Sequence, residues 1–239
     1  MPDHVHLILH KMQRDDYHLG DYIGNLKKNV SEIYNVTNST QLLPTEIFEP
    51  GYTDKILFRW MNLKTWIEYV RNNPHRRAMV MQCPYFFQRV RDLEVDGKKY
   101  EAYGNLFLFR NPDKFAVRVR RRFTENETIS HQRLALGKVN KGTILISPFV
   151  SKAEQRIRDN ALAQGAKIIL LKHEEFGERY KPAKREFELC SAGRMLIINL
   201  GLPKGTPLSY EISTRMNELA ASIVNMGIKP GRKAKCFVE

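Results

Sequence analysis

Cysteine is scarce in this chain of 239 residues, with only Cys83, Cys190 and Cys236. The number is odd and no two are spaced C-x-x-C. That argues against a disulfide framework and a zinc ribbon, and it fits a reducing, cytoplasmic setting. Long apolar runs are missing as well. None approaches the roughly 18 residues that a membrane helix needs, and the N-terminus has no basic region followed by an apolar stretch of the secretory kind. No membrane partner is therefore expected. Glycine-rich phosphate loops are absent, since neither G-x-G-x-x-G nor the P-loop pattern occurs. Acidic residues are few: 26 Asp and Glu face 39 Lys and Arg, leaving a net charge of +13. A chain this basic commonly meets a polyanion, so nucleic acid is the expected partner. The 42% apolar fraction is enough for a core, and the length suits one large domain or two small ones.

The chain opens on Met1-Pro2-Asp3-His4-Val5-His6-Leu7-Ile8-Leu9. This run is expected to form a β-strand. Alternate side chains of a strand share a face, so His4 and His6 point the same way. Two adjacent imidazoles form half of a divalent-metal site. His10 has the same parity, and Asp54 is a further accessory candidate, both with little weight.

An amphipathic helix follows. Leu19, Tyr22, Ile23, Leu26, Val30, Ile33 and Tyr34 recur at helical spacing, with Lys27 and Lys28 on the polar side. The segment 51–58 resembles a strand. A second helix is expected over 62–72, with Leu63, Trp66, Ile67 and Val70 as its buried stripe and Pro74 ending it. On this helix Tyr69 and Asn73 are four residues apart and share a face. Alone, Tyr69 reads equally well as a rim tyrosine and Asn73 as a helix cap. In the run Tyr85-Phe86-Phe87, core aromatics are the commoner reading.

Taken together, three blocks carry a resemblance: Met1-Pro2-Asp3-His4-Val5-His6-Leu7, then Gly51-Tyr52-Thr53-Asp54, then Tyr69-Val70-Arg71-Asn72-Asn73-Pro74. In content and order this region, about residues 1–80, resembles the REP-associated tyrosine transposases of the HUH class of single-strand DNA nucleases. The resemblance implies a ferredoxin-like α+β domain, here incomplete, because the strand and helix that normally precede the histidine strand do not precede it in this sequence. A missing strand would expose a sheet edge, and pairing of two copies is the expected way to cover it.

The resemblance also implies a metal-dependent endonuclease and strand transferase. Tyr69 would be the nucleophile, with His4, His6 and Asn73 holding Mg²⁺ or Mn²⁺. A tyrosine hydroxyl titrates near pH 10, and a cation on the scissile phosphate neutralises charge and orients the oxygens. The substrate would be single-stranded or hairpin DNA, which takes a basic groove with aromatic platforms. Arg71, Arg76 and Arg77 surround the expected nucleophile.

The second half has a different grammar. β-like runs occur at 105–109 and 115–119. Thr143–Ser147, Lys167–Leu171 and Met195–Leu200 are continuous apolar runs of the kind found in buried parallel strands. Ser151-Lys152-Ala153-Glu154 is a capping box that opens a helix ending near Gly165. A last helix is expected from about Tyr210 to Met226. This is βαβ punctuation, so the expected organisation is a transposase-like domain over 1–92 and an α/β Rossmann-like parallel-sheet domain over 93–239. Ser147-Pro148-Phe149-Val150-Ser151 with Lys181-Pro182 is similar to the Rossmann-like folds related to the DNA-processing protein. Ser147, Ser151, Arg179 and Lys181 are the candidate phosphate ligands, at a helix N-terminus and in a basic loop. Two other functions stay open on the residues alone. One is a non-catalytic nucleic-acid- or nucleotide-binding protein derived from such a transposase. The other is a small-molecule enzyme of the α/β half, for which no motif speaks.

Overall fold

The computed structural model describes residues 5–10, 16–37, 47–58, 61–119, 123–178 and 180–226. The architecture is α+β, with seven α-helices and one six-stranded mixed sheet among the described residues. No described helix is long and apolar enough to cross a membrane. The chain divides into two compact units, Met1–His75 and Arg76–Glu239. The division falls inside a helix. The boundary expected at 92/93 would instead cut strand β1, Gln88–Val95, out of its hairpin.

The first unit contains α1 (Leu19–Thr37) and the opening turns of α2 (Leu63–Gln82). Residues 5–9, the described part of the strand expected over 1–9, and residues 51–58, also expected as a strand, carry no ladder. An extended run becomes a strand only when a neighbouring backbone takes its N–H and C=O groups, and none does so among the described residues. The period-two pattern survives without the ladder: His6 and Ile8 are half-buried, while Val5, Leu7 and Leu9 are exposed. His4 lies outside the described residues.

Helix α1 forms where its periodicity predicts, but its burial is shifted, and of the expected apolar stripe only Ile23 is half-buried. Ile23, Lys27, Ser31 and Asn35, spaced by four, are its half-buried residues, whereas Leu19, Tyr22, Leu26, Val30 and Ile33 are exposed. Lys27 fixes that side, because its ammonium donates to the carbonyls of Glu49 and Gly51. Helix α2 does not stop at Pro74 but continues to Gln82. A proline inside a helix forfeits one backbone hydrogen bond and crowds the carbonyl four residues back. Here the later turns offset that cost, since Met79 and Val80 pack on the core of the second unit.

In the second unit, β1 and β2 (Lys98–Gly104) form an antiparallel hairpin. Its two-residue turn, Asp96-Gly97, has both φ angles positive, at 49° and 74°. That twist matches the strands it joins. After a one-turn helix α3 (Phe107–Arg110) come β3 (Lys114–Ala116), α4 (Glu125–Val139), β4 (Ile144–Ser147), α5 (Lys152–Ala163), β5 (Ile168–Glu174), α6 (Lys184–Ser191), β6 (Met195–Leu202) and α7 (Tyr210–Asn225). The strand order is β1-β2-β6-β5-β4-β3, with β3 to β6 parallel and β2 antiparallel to β6.

Each parallel step moves one place in the same direction. Right-handed crossovers then put α4, α5 and α6 on one face. There Ala135, Val139, Ile157, Ala161, Phe187 and Cys190 pack against Leu145, Ile168 and Ile197. Helix α7 covers the other face, with Met216, Leu219 and Ile223 on Ile146, Ile169 and Ile198. The run 105–109, expected as a strand, is instead the turn into α3. The Asn105 carboxamide oxygen accepts from the Phe107 N–H at 3.1 Å, and its amide donates to the Gly193 carbonyl at 2.7 Å. Gly104, at φ +124°, lets β2 approach β6 this closely, since a Cβ there would sit 2.6 Å from the Met195 carbonyl oxygen.

Candidate functional site

The first unit places one of the two expected histidines, His6, beside Tyr69. The His6 ring meets the Tyr69 ring edge-on, with centroids 5.8 Å apart. Tyr69 in turn meets Trp66 edge-on at 6.1 Å, and the Lys55 ammonium lies 4.4 Å from the Trp66 ring centroid. Trp66 and Tyr69 are three residues apart on α2, a spacing that puts side chains on one surface. The structure thus corrects the assignment of Leu63 and Trp66 to a buried stripe: Trp66 is half-buried and in contact with the half-buried Tyr69, and Leu63 is exposed. Trp66 and Lys55 are the residues that sequence reasoning missed here. The three-residue spacing to Tyr69 was the available signal for Trp66, and Lys55 had none.

Asn73 is the one buried residue of α2, at 6% exposure, deeper than any apolar residue on the helix. Its amide nitrogen has no hydrogen-bond partner among the described residues. A buried orphan of this kind is costly. A half-turn of the carboxamide exchanges nitrogen for oxygen at the same point, so the position would suit a cation. No cluster of three His, Cys, Asp or Glu side chains forms a metal site among the described residues. The expected ligand set draws on His4, which lies outside them, and on a carboxamide. His10 and Asp54 are exposed.

The three arginines have different surroundings. Arg71 and Arg77 are exposed. Arg76 is held inside the second unit, where its guanidinium donates to the Pro182 carbonyl at 3.0 Å and stacks 4.2 Å from the Phe187 ring centroid. That engagement removes it from the candidate DNA contacts. Of the Tyr-Phe-Phe run, Phe87 is core and stacks on Phe187 at 4.9 Å, Phe86 packs beside Gly193, and Tyr85 is exposed.

The phosphate site expected at α5 is already filled from within the chain. Ser147 is fully buried, and its Oγ accepts from the Phe149 N–H at 3.0 Å. It thereby supports a residue held at φ +49°. Ser151 caps α5 by accepting from the Glu154 N–H at 3.1 Å. The Glu154 carboxylate, 5% exposed, accepts from the backbone N–H groups of Val119 (3.0 Å), Val150 (3.0 Å) and Ser151 (3.2 Å). A helix N-terminus favours an anion, and Glu154 supplies it. Ser147 and Ser151 are therefore structural. Arg179 lies outside the described residues, and Lys181 is exposed.

In the carboxyl halves of β5 and β6, strand register assembles a polar row that the sequence did not reveal. Glu101, Asn199 and Lys172 are register neighbours across β2, β6 and β5. Arg89 pairs with Glu101 at 2.7 Å and donates to the carbonyls of Phe176, Gly177 and Glu178. Lys172 pairs with Glu186 at 2.8 Å, and its ammonium lies 3.4 Å from the Tyr180 hydroxyl. The Asn199 amide donates to Glu101 at 3.2 Å, while its oxygen has no partner among the described residues. Burial pushes the Tyr103 hydroxyl and the Cys190 thiol each up to about 12, and the Tyr180 hydroxyl well above its usual range, with Glu186 adding to the rise in Tyr180 and Cys190. The charges are matched and the aromatic hydroxyls stay protonated, so this row fastens the segment after β5.

No protein-family model, curated protein or solved structure matches this chain.

Proposed function

We propose that the chain is a metal-dependent nuclease and strand transferase of single-stranded DNA, with Tyr69 as nucleophile. The observation that carries this reading is the 5.8 Å meeting of the His6 and Tyr69 rings, residues far apart in sequence. The buried amide nitrogen of Asn73, without a partner among the described residues and one helical turn beyond Tyr69, adds to it.

In this reading His4, His6 and the Asn73 oxygen hold Mg²⁺ or Mn²⁺. A bound cation would polarise the scissile phosphate and offset its charge. The chain's own residues do the rest. Tyr69 attacks phosphorus through its phenolic oxygen and displaces a deoxyribose oxygen, which leaves with a proton, so that one phosphodiester becomes a phosphotyrosyl ester. The His6 and Trp66 rings each meet the phenol ring in an edge-to-face arrangement. Arg71 and Arg77, both exposed, are available to DNA phosphates, while the net charge of +13 draws the strand in. The ferredoxin-like character of the first unit and the Rossmann-like, DNA- or nucleotide-binding character of the second belong to the same proposal. Four parallel strands alternating with helices support the latter.

A second reading is a non-catalytic nucleic-acid- or nucleotide-binding protein derived from such an enzyme, for which the net charge of +13 speaks equally. His6→Ala separates the two. Under the first reading it abolishes cleavage of a labelled hairpin in Mn²⁺ and leaves DNA affinity within a few-fold, because phosphate contacts dominate affinity. A wild-type chain that retains DNA and never cuts it supports the second.

A further inference from the structure

The first unit contains a cleft that the proposed chemistry does not use. Helix α1 forms one side and residues 47–52 the other of an open groove of about 560 Å³. That volume lies within the range of small-ligand pockets. Lys27 builds the cleft by tying the second wall to the helix through the carbonyls of Glu49 and Gly51. Two glycines of the helix line it. Gly20 and Gly24 lie one turn apart on α1, and a Cβ at Gly24 would meet no atom within 4 Å. Glycine in a helix interior costs about 1 kcal/mol relative to alanine, and what it provides at this position is open space. Ile23 and Phe48 make the lining apolar, and the ring of Tyr52 is 49% exposed at one end. At the rim Lys28 is 75% exposed, with an ion pair to Glu32 at 3.9 Å.

A largely apolar groove lined by an aromatic ring and an exposed lysine suits a π-face joined to a phosphate. We propose that this cleft takes one unstacked base of a single-stranded DNA, stacked against Tyr52, with Lys28 on the adjoining phosphate. The choice of ligand rests on the nuclease reading above, but the cleft and the tyrosine chemistry can be tested apart.

The test uses the full chain carrying Tyr69→Phe, so that covalent capture does not contribute. Binding of a fluorescent single-stranded oligonucleotide is followed by anisotropy. A stacked base is worth enough for about a tenfold change in affinity. Tyr52→Ala and Gly24→Leu are each expected to weaken binding about tenfold, and Tyr52→Phe to restore it. Lys28→Ala is expected to lower the slope of log K against log salt by about one. A 2-aminopurine base in the oligonucleotide should change its fluorescence on binding, and lose that change with Gly24→Leu. Gly24→Leu raises helix propensity, so the fold should persist, and circular dichroism checks it. Unaltered affinity in both Gly24→Leu and Tyr52→Ala overturns the proposal. So does a change of oligomeric state in those variants with DNA binding intact, which would assign the cleft to a protein segment. If the wild type binds no single strand, the cleft proposal and the nuclease reading fall together. If the variants lose binding while the chain with Tyr69 intact forms no covalent adduct, the cleft stands and the nuclease reading falls.

Discussion

Replacing Glu154 with alanine tests whether the helix α5 N-terminus is a filled anion site or an open one. The side chain is 5% exposed, and its carboxylate accepts three backbone N–H groups, from Val119, Val150 and Ser151. Alanine strands all three donors. A buried unsatisfied donor costs about 1–3 kcal/mol. These groups are part-buried, so the low end applies, and the total is about 3 kcal/mol. Glu154→Gln keeps the shape and one acceptor oxygen but turns an NH₂ group toward at least one donor, which should cost about half as much. Urea unfolding at pH 7, with the m-value held common, reads both numbers.

The filled-site account makes a second demand. Phosphate should stabilise Glu154→Ala in a saturable manner, by occupying the vacated position. The wild type should gain only the unsaturable effect that such salts have on any fold. A loss below about 1 kcal/mol in Glu154→Ala, or saturable phosphate stabilisation of the wild type, refutes the reasoning.

Arg89→Ala removes an ion pair and three bonds to carbonyls after β5, and it leaves Glu101 part-buried without its partner. A loss of about 3 kcal/mol is expected, together with faster proteolysis near Phe176. Arg89→Lys should not rescue it, because the forked geometry is what reaches both sides. Gly104→Ala puts a Cβ 2.6 Å from the Met195 carbonyl at φ +124° and should cost about 3 kcal/mol by thermal unfolding. Cys190, whose thiol burial holds up at about 12, should resist a disulfide-exchange reagent at pH 8 in a Cys83→Ser/Cys236→Ser background and react on unfolding. The backbone N–H of Thr124 holds the Glu127 carboxyl below its usual value of 4.5. The capping box therefore stabilises α4 above that value, and the benefit is lost as pH falls through the lower folded-state value. Glu127→Gln should flatten the acid limb of a pH–melting curve, and identical limbs would contradict this linkage.

The α/β half was legible wherever burial is continuous. β4, β5 and β6 are buried on both faces through most of their length, so Ile144 to Ser147, Ile168 to Leu171 and Met195 to Asn199 appear in the sequence as unbroken apolar runs. The capping box at Ser151 and Glu154 was readable because it is local. Its second task was not, since the Val119 N–H comes from a distant part of the chain. The β1–β2 hairpin went unread although Asp96-Gly97 is its direct signal. The one-turn helix at Phe107 has too few residues for any periodicity to show. Pro74 was read by a local rule that tertiary packing overrode. The Glu101–Asn199–Lys172 row exists only through strand register, which no segment encodes alone. In the candidate site, the three-residue step from Trp66 to Tyr69 was in the sequence. The approach of His6 was not, except through the resemblance of the two blocks.

The central claim is tested most directly by a search for the covalent product. The wild-type chain is incubated with Mn²⁺ and a labelled pool of single-stranded hairpins of randomised sequence, and denaturing electrophoresis followed by peptide mass spectrometry locates any nucleotide carried by the protein. The account predicts a nucleotidyl adduct on the peptide containing Tyr69, absent in Tyr69→Phe and in Asn73→Ala. An adduct that survives in Tyr69→Phe, or none from any hairpin in the pool, contradicts it.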